Sequence, residues 1–228
     1  MLKENKHELV YIRFIKRKII SAGKRKYFQT RQQEELNYCM RKIIAAINMT
    51  LDGYFDHTAI DPDEEVHQHY TDILDSGDAI LYGRKTFQLM EFWKSFIKKP
   101  SGEKSMDNFA IAIDRIPKIV FSNTIKETGW QSASLATRNF EEEARALKSQ
   151  AGRDIFIGSR SLIIQALELN LLDELQLCIH PVITGNGMQL FEKVKERHEL
   201  KLAGSKKFSG GAIILYYNQK NMNETIVA

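Results

Sequence analysis

Only two cysteines, Cys39 and Cys178, occur in 228 residues, and neither belongs to a Cys-x-x-Cys pair or a Cys/His cluster. That excludes a disulfide framework and a cysteine-based zinc site, and it suits a reducing cytoplasm. Long apolar runs are also missing: stretches such as Leu9 to Ile12 and Ala110 to Ile113 are far below the ~20 residues of a bilayer crossing. Charge of one sign is scarce outside a single segment. Residues 1 to 39 carry ten Lys/Arg against four Glu, so +6 of a total of +4 lies there and 40 to 228 carries −2. A mildly acidic body removes the main support for nucleic-acid binding by the whole chain. Several catalytic signatures are absent as well. There is no Walker Gly-x-x-x-x-Gly-Lys-Ser/Thr, no Gly-x-Ser-x-Gly elbow, no His-Glu-x-x-His and no zinc-deaminase pairing of His-x-Glu with Cys-x-x-Cys.

What is present is ordinary globular material, at 43% hydrophobic, 10% aromatic and 27% charged residues. Such a chain can bury roughly 70% of its unfolded surface without disulfides or a structural metal, and one main domain is the default expectation. The basic segment 1–39 interleaves Leu9, Val10, Ile12, Phe14, Ile15, Ile19 and Ile20 with Arg13, Lys16, Arg17 and Lys18. A membrane-surface helix, a nucleic-acid arm and a docking helix all fit that pattern. So does an over-extended start or a non-native extension, because Met40-Arg41-Lys42-Ile43-Ile44 reads as a natural beginning followed by a strand. Charges interrupt every apolar stretch that could serve a secretory signal.

From Ile43 the pattern becomes regular. Ile43 to Ile47 reads as a buried strand followed by a loop from Asn48 to Gly53. Asp61-Pro62-Asp63-Glu64 opens a helix that Gly77 stops. Ala79 to Tyr82, Lys118 to Phe121 and Asp154 to Ile157 are further strands, and Asn139 caps a helix over 140–149. Gly83-Arg84-Lys85-Thr86 and Gly158-Ser159-Arg160-Ser161 each turn from a strand into a helix, the second helix running through Leu169. Alternating strands and helices predict a parallel α/β sheet. The tail predicts antiparallel strands over 173–181, 199–206 and 212–217. Loops 53–62 and 91–109 carry no readable code. Turns that open helices present free N–H groups to phosphates; Arg84 and Lys85 add positive charge and Thr86 a hydroxyl.

The order of these pieces resembles a known family. Ile43-Ile44-Ala45-Ala46-Ile47, Asp52-Gly53, Gly83-Arg84-x-Thr86-Phe87, Val120-Phe121-Ser122, Ile155-Phe156-Ile157-Gly158, Leu172-Asp173-Glu174-Leu175 and Pro181-Val182-Ile183-x-Gly185-x-Gly187-x-x-Leu190-Phe191 look like dihydrofolate reductase-like enzymes related to the C-terminal reductase domain of the bifunctional riboflavin-biosynthesis deaminase-reductase. The resemblance covers about 40 to 218. It implies an α/β fold with a mainly parallel central sheet flanked by helices and an antiparallel C-terminal end. It also implies a homodimer using NADPH to reduce a small heterocyclic or carbonyl-containing substrate; the cysteine usage, charge distribution and short apolar runs add the expectation of a cytoplasmic protein with no nucleic-acid or membrane partner.

On that resemblance Ala45 and Ala46 would let the first strand's backbone reach the nicotinamide carboxamide. Gly83, Arg84, Lys85 and Thr86 would take the pyrophosphate and 2′-phosphate side, with Ser122 and Asn123 near the adenosine phosphate. Gly158, Ser159, Arg160, Ser161 and Leu162 would cradle the other side of the pyrophosphate. Dihydrofolate reductases carry Gly-Gly where this chain has Gly158-Ser159. Their substrate-side carboxylate corresponds to His67, a potential proton donor or a surface histidine. Asp52 could contact substrate or hold its loop as an Asp-Gly turn. His180 reads as a core or interface residue, and Phe92 and Trp93 as packing. A non-catalytic nucleotide-binding or regulatory protein of the same fold is the alternative, since no unambiguous acid is visible.

Overall fold

A computed structural model describes residues 41–219; segment 1–39 and every expectation resting on it lie outside the described residues. Strand β1 (Ile43–Thr50) leads to helix α1 (Glu64–Ser76), β2 (Gly77–Gly83) and α2 (Arg84–Met90). A short 3-10 turn (Glu91–Trp93), α3 (Lys94–Lys98) and α4 (Lys104–Arg115) precede β3 (Lys118–Phe121) and β4 (Ala133–Leu135). Then come α5 (Phe140–Lys148), β5 (Asp154–Ile157), α6 (Arg160–Glu168), β6 (Glu174–His180), β7 (Leu200–Lys207) and β8 (Ile213–Gln219). The eight strands form one sheet in the order β4-β3-β2-β5-β1-β6-β8-β7.

Local chemistry accounts for the main elements. Asp63 caps α1 by accepting from the Val66 N–H at 2.9 Å, with Glu64 and Glu65 in the first turn where the helix dipole favours acids. Gly77 then opens β2 against Phe156, whose ring would stand 2.4 Å from an added Cβ, so only glycine passes there without repacking. Asn139 caps α5 through Glu142 N at 3.0 Å. Alternate residues of β1 enter two cores. Ile43, Ala45 and Ile47 pack with Ala144 and Leu147 of α5 and Ile163 and Ala166 of α6. Ile44 packs on the opposite face with Ile73 and Leu74 of α1, Phe87 of α2 and Ile113 of α4. Helices on both faces explain the continuous apolar strands.

Four expectations need correction. β1 continues past Ile47 because β6 pairs with it as far as Thr50↔His180, so Asn48 to Thr50 is strand, not loop. Segment 91–109 holds helical turns and the start of α4; Phe109, Ala112 and Ile113 make that helix's apolar side. The three-residue edge strand β4 was missed. β6 is parallel to β1 and antiparallel to β8, so it joins the two regimes instead of belonging to an antiparallel tail.

A smaller cluster of Val66, Cys178, Phe208, Ala212 and Ile214 ties the start of α1 to β6, β8 and the turn between β7 and β8. His69 lies beside it, its ring centroid 5.6 Å from Phe208 and its Nε2 buried without a hydrogen-bond partner. Burial, with Lys206 adding to it, brings the His69 pKa from 6.5 down to about 4. Between those values the folded chain binds fewer protons than the unfolded one, so stability should rise with pH across the window and be lost on acidification through it. Denaturant melts at about pH 5 and about pH 7 should differ more for the parent than for His69→Phe, by on the order of 1–3 kcal/mol.

Candidate functional site

The carboxyl ends of β2 and β5 lie side by side, with Leu81 opposite Ile157. The two helix-opening turns are therefore neighbours, and they are stitched: Gly83 N donates to Ser159 Oγ at 2.9 Å. A Cβ on Gly83 would meet Ser161 Oγ at 3.3 Å. Neither α2 nor α6 has a side-chain N-cap bond, which leaves first-turn N–H groups for an anion. Gly158 packs against Tyr82, whose ring would come within 2.9 Å of an added Cβ. The Gly158–Ser159 peptide is trans, like the other described peptide bonds.

Beside the stitched turns a cleft of about 540 Å³ is lined by Arg84, Ser122, Asn123, Thr124, Arg138, Asn139, Leu162 and Gln165 among others. Arg84 is exposed and sits where α2 starts. Ser122 Oγ accepts from Thr124 N at 3.1 Å and Ile125 N at 3.0 Å, which fixes the turn after β3. Arg138 is 3.8 Å from Glu143 with its side chain half exposed. The structure thus gathers Arg84, Ser122, Asn123 and Leu162 around one volume. Lys85, Thr86, Gly158, Ser159, Arg160 and Ser161 border the stitched turns without lining it. Sequence reasoning missed Arg138, although a basic residue directly before the Asn139 cap was a usable signal.

Arg160 is committed elsewhere. Its Nε donates to Leu190 O at 3.0 Å, its Nη2 lies 3.0 Å from Glu192 Oε2, and the guanidinium stands 5.5 Å from the Phe55 ring centroid. Asp52 belongs to the same arrangement. Its carboxylate accepts from Thr50 Oγ1 at 2.6 Å, Gly185 N at 2.7 Å and Thr184 N at 3.2 Å. The Thr50 hydroxyl first, then the two N–H groups, hold the Asp52 pKa below its ordinary value against partial burial. Main-chain bonds from Leu51 N to Val182 O and from Leu190 N to Gly53 O complete the seam. Asp52 and Arg160 therefore hold segment 181–192 from both ends.

Ala45 is wholly buried against the α5 and α6 side, and Ala46 is half-buried on the α1 side. Pairing of β1 with β5 ends at Ala45↔Ile157, because the chain leaves the sheet at Gly158. From Ala46 onward that edge of β1 is open. His67 lies in the first turn of α1, edge-on to Trp93 at 5.9 Å between ring centroids and 6.3 Å from Phe109. Burial lowers its pKa, opposed by Asp61, Asp63 and Glu103. It is not among the residues lining the cleft with Arg84. His180 is buried in the core, at 5% exposure.

A mainly parallel sheet clad on both faces, split at the carboxyl end of β1 beside paired helix-opening turns, defines a dihydrofolate reductase-like α/β domain. The chain belongs to the RibD C-terminal domain family, which matches residues 41–214, and this supports a reductase-like role. It is similar to the Uncharacterized protein YyaP of Bacillus subtilis (strain 168), 36% identical over 190 residues that cover 80% of this chain and 97% of the relative. Two solved structures share the fold. A pyrimidine reductase-like protein from Corynebacterium diphtheriae is 16% identical with a TM-score of 0.52, covering 79% of this chain and 92% of its own. A diaminohydroxyphosphoribosylaminopyrimidine deaminase/5-amino-6-(5-phosphoribosylamino)uracil reductase from Thermotoga maritima is 14% identical with a TM-score of 0.54, covering 79% and 57%. No helix among the described residues is long and apolar enough to cross a membrane.

Proposed function

We propose that the protein is a cytoplasmic NADPH-dependent reductase acting on a small heterocyclic or carbonyl-containing substrate. The observation that carries this reading is the cleft of about 540 Å³ with Arg84 and Arg138 on its lining, next to two uncapped helix starts joined by Ser159. Those groups fit a phosphorylated nucleotide: two guanidiniums for a terminal phosphate, hydroxyls at Ser122 and Thr124, and N–H groups of α2 and α6 for a pyrophosphate. When bound, NADPH supplies a hydride. Gly83, Arg84, Lys85 and Thr86 would take the pyrophosphate and 2′-phosphate side, Ser122 and Asn123 would lie near the adenosine phosphate, and Gly158, Ser159, Ser161 and Leu162 would cradle the other side of the pyrophosphate. Ala46 would present its backbone to the nicotinamide where β1 is open, with Ala45, buried and paired to Ile157, at the border of that opening. Asp52 and Arg160 keep segment 181–192 in place, and His67 would carry the proton for the substrate.

Oxidation of NADPH by a panel of pterins, ribosylaminopyrimidines and quinones tests the reading; substrate-dependent consumption is the expected result. A non-catalytic nucleotide-binding role draws support from Asp52, whose carboxylate is already engaged with Thr50 and with the backbone of Thr184 and Gly185. NADPH binding without reduction of any compound would favour it.

A homodimer belongs to the same proposal. No helix follows β6 before β7 among the described residues, leaving Leu202 at 55% and Ile213 at 40% exposure on the sheet. Sedimentation should show a dimer that Leu202→Glu with Ile213→Glu converts to a monomer; a parent monomer would contradict it.

A further inference from the structure

Beneath the open edge of β1 a polar group is fixed in one orientation. Asn48 Oδ1 accepts from the Tyr70 hydroxyl of α1 at 3.0 Å and lies 2.9 Å from His180 Nε2 of β6. Burial pushes the Tyr70 pKa well up and the His180 pKa down, so both stay uncharged at neutral pH. Cys178 Sγ, 3.5 Å from the same imidazole nitrogen, is pushed up to about 12 by burial and is uncharged as well. With His180 in its Nε2–H tautomer both lone-pair directions of the amide oxygen are engaged, and the Asn48 Nδ2 group turns away from Tyr70 and His180. It has no hydrogen-bond partner among the described residues, yet it is absent from the polar atoms that are sealed from solvent. An amide nitrogen can only donate.

Its place in the fold gives the donor a use. Asn48 follows Ala46 by two positions on β1, so the two side chains share the α1 face. Both lie beyond Ala45↔Ile157, the last pair with β5. Tyr70 of α1 lies beside them, and His67 stands three positions before it on the same helix. We propose that Asn48 is a substrate-binding residue, offering a fixed pair of N–H donors to a carbonyl oxygen or an unprotonated ring nitrogen, with Tyr70 and His180 as its positioning residues. Resting on the reductase reading above, the inference narrows the substrate class to neutral, acceptor-bearing rings or carbonyls and disfavours substrates presenting a donor at that point. A site built around buried donors discriminates strongly, because a mismatched partner leaves them unpaired.

Asn48→Asp keeps an oxygen for Tyr70 and His180 but replaces the outward donors by an acceptor. The full chain is titrated with NADPH and then assayed with menadione, whose carbonyls only accept, and with 5,6-diaminouracil. The expected result is parental NADPH affinity, a parental melting temperature and a KM for the better probe raised about ten- to a hundredfold. Asn48→Ser, with a single donor, should fall between, which keeps the test open if the aspartate variant does not fold. Tyr70→Phe frees one side of the amide and should raise KM more than it lowers kcat. An unchanged KM in Asn48→Asp would overturn the inference, as would a parent that binds NADPH but neither binds nor reduces either probe. A parent that does not bind NADPH would overturn the reductase reading instead.

Discussion

Arg84→Ala should erase most of the preference for NADPH over NADH while weakening NADH binding much less. The residue is exposed at the start of α2 and lines the cleft that also holds Ser122 and Arg138, and a 2′-phosphate is the charge that NADH lacks. Hydrogen bonds to charged groups contribute about 1.5–3 kcal/mol each, which corresponds to a roughly ten- to hundredfold loss of NADPH affinity. The loss should shrink as salt is raised, since an exposed guanidinium is screened. Combining Arg84→Ala with Arg138→Ala should bring the two nucleotides to equal affinity. Calorimetric titration of each variant with both nucleotides checks this. A preference that survives the double change would move the phosphate site elsewhere.

His67→Gln should lower turnover by about a hundredfold if the imidazole supplies the substrate's proton. Because burial lowers its pKa, the protonated form becomes scarce as pH rises through that lowered value. Turnover in the parent should therefore fall with rising pH across the interval, and the variant's profile should be flat there. Contacts with Trp93 and Phe109 could also be lost, so melting temperatures belong beside the rates. Unchanged turnover at every pH would make His67 a packing residue of the aromatic cluster.

The legible parts of the fold are those whose signal is local. Lys118–Phe121 and Asp154–Ile157 are apolar runs bounded by turns, and both strands end where those runs end. Asp63 and Asn139 announced their helices because a cap needs only the three residues after it. α4 was lost for the opposite reason: Glu103 precedes it without a side-chain cap bond. β1 outran its apolar run because its last pairs are made with β6, 130 residues later. The site divides in the same way. Arg84 and Ser122 were readable from their turns, whereas the bond from Gly83 N to Ser159 Oγ spans 76 residues. Arg160 looked like a phosphate ligand by sequence, and its engagement with Leu190 and Glu192 is visible only in three dimensions. Asn48 gave no signal at all, since its meaning comes from Tyr70 and His180 on two other elements.

The central claim is that the paired turns and the Arg84 cleft hold NADPH. Calorimetric titration of the unmodified full chain with NADPH and with NADH, at one salt concentration, tests it most directly. The account predicts saturable binding of both, with NADPH at least about tenfold tighter. Equal affinities, or no heat of binding with either nucleotide, would contradict it.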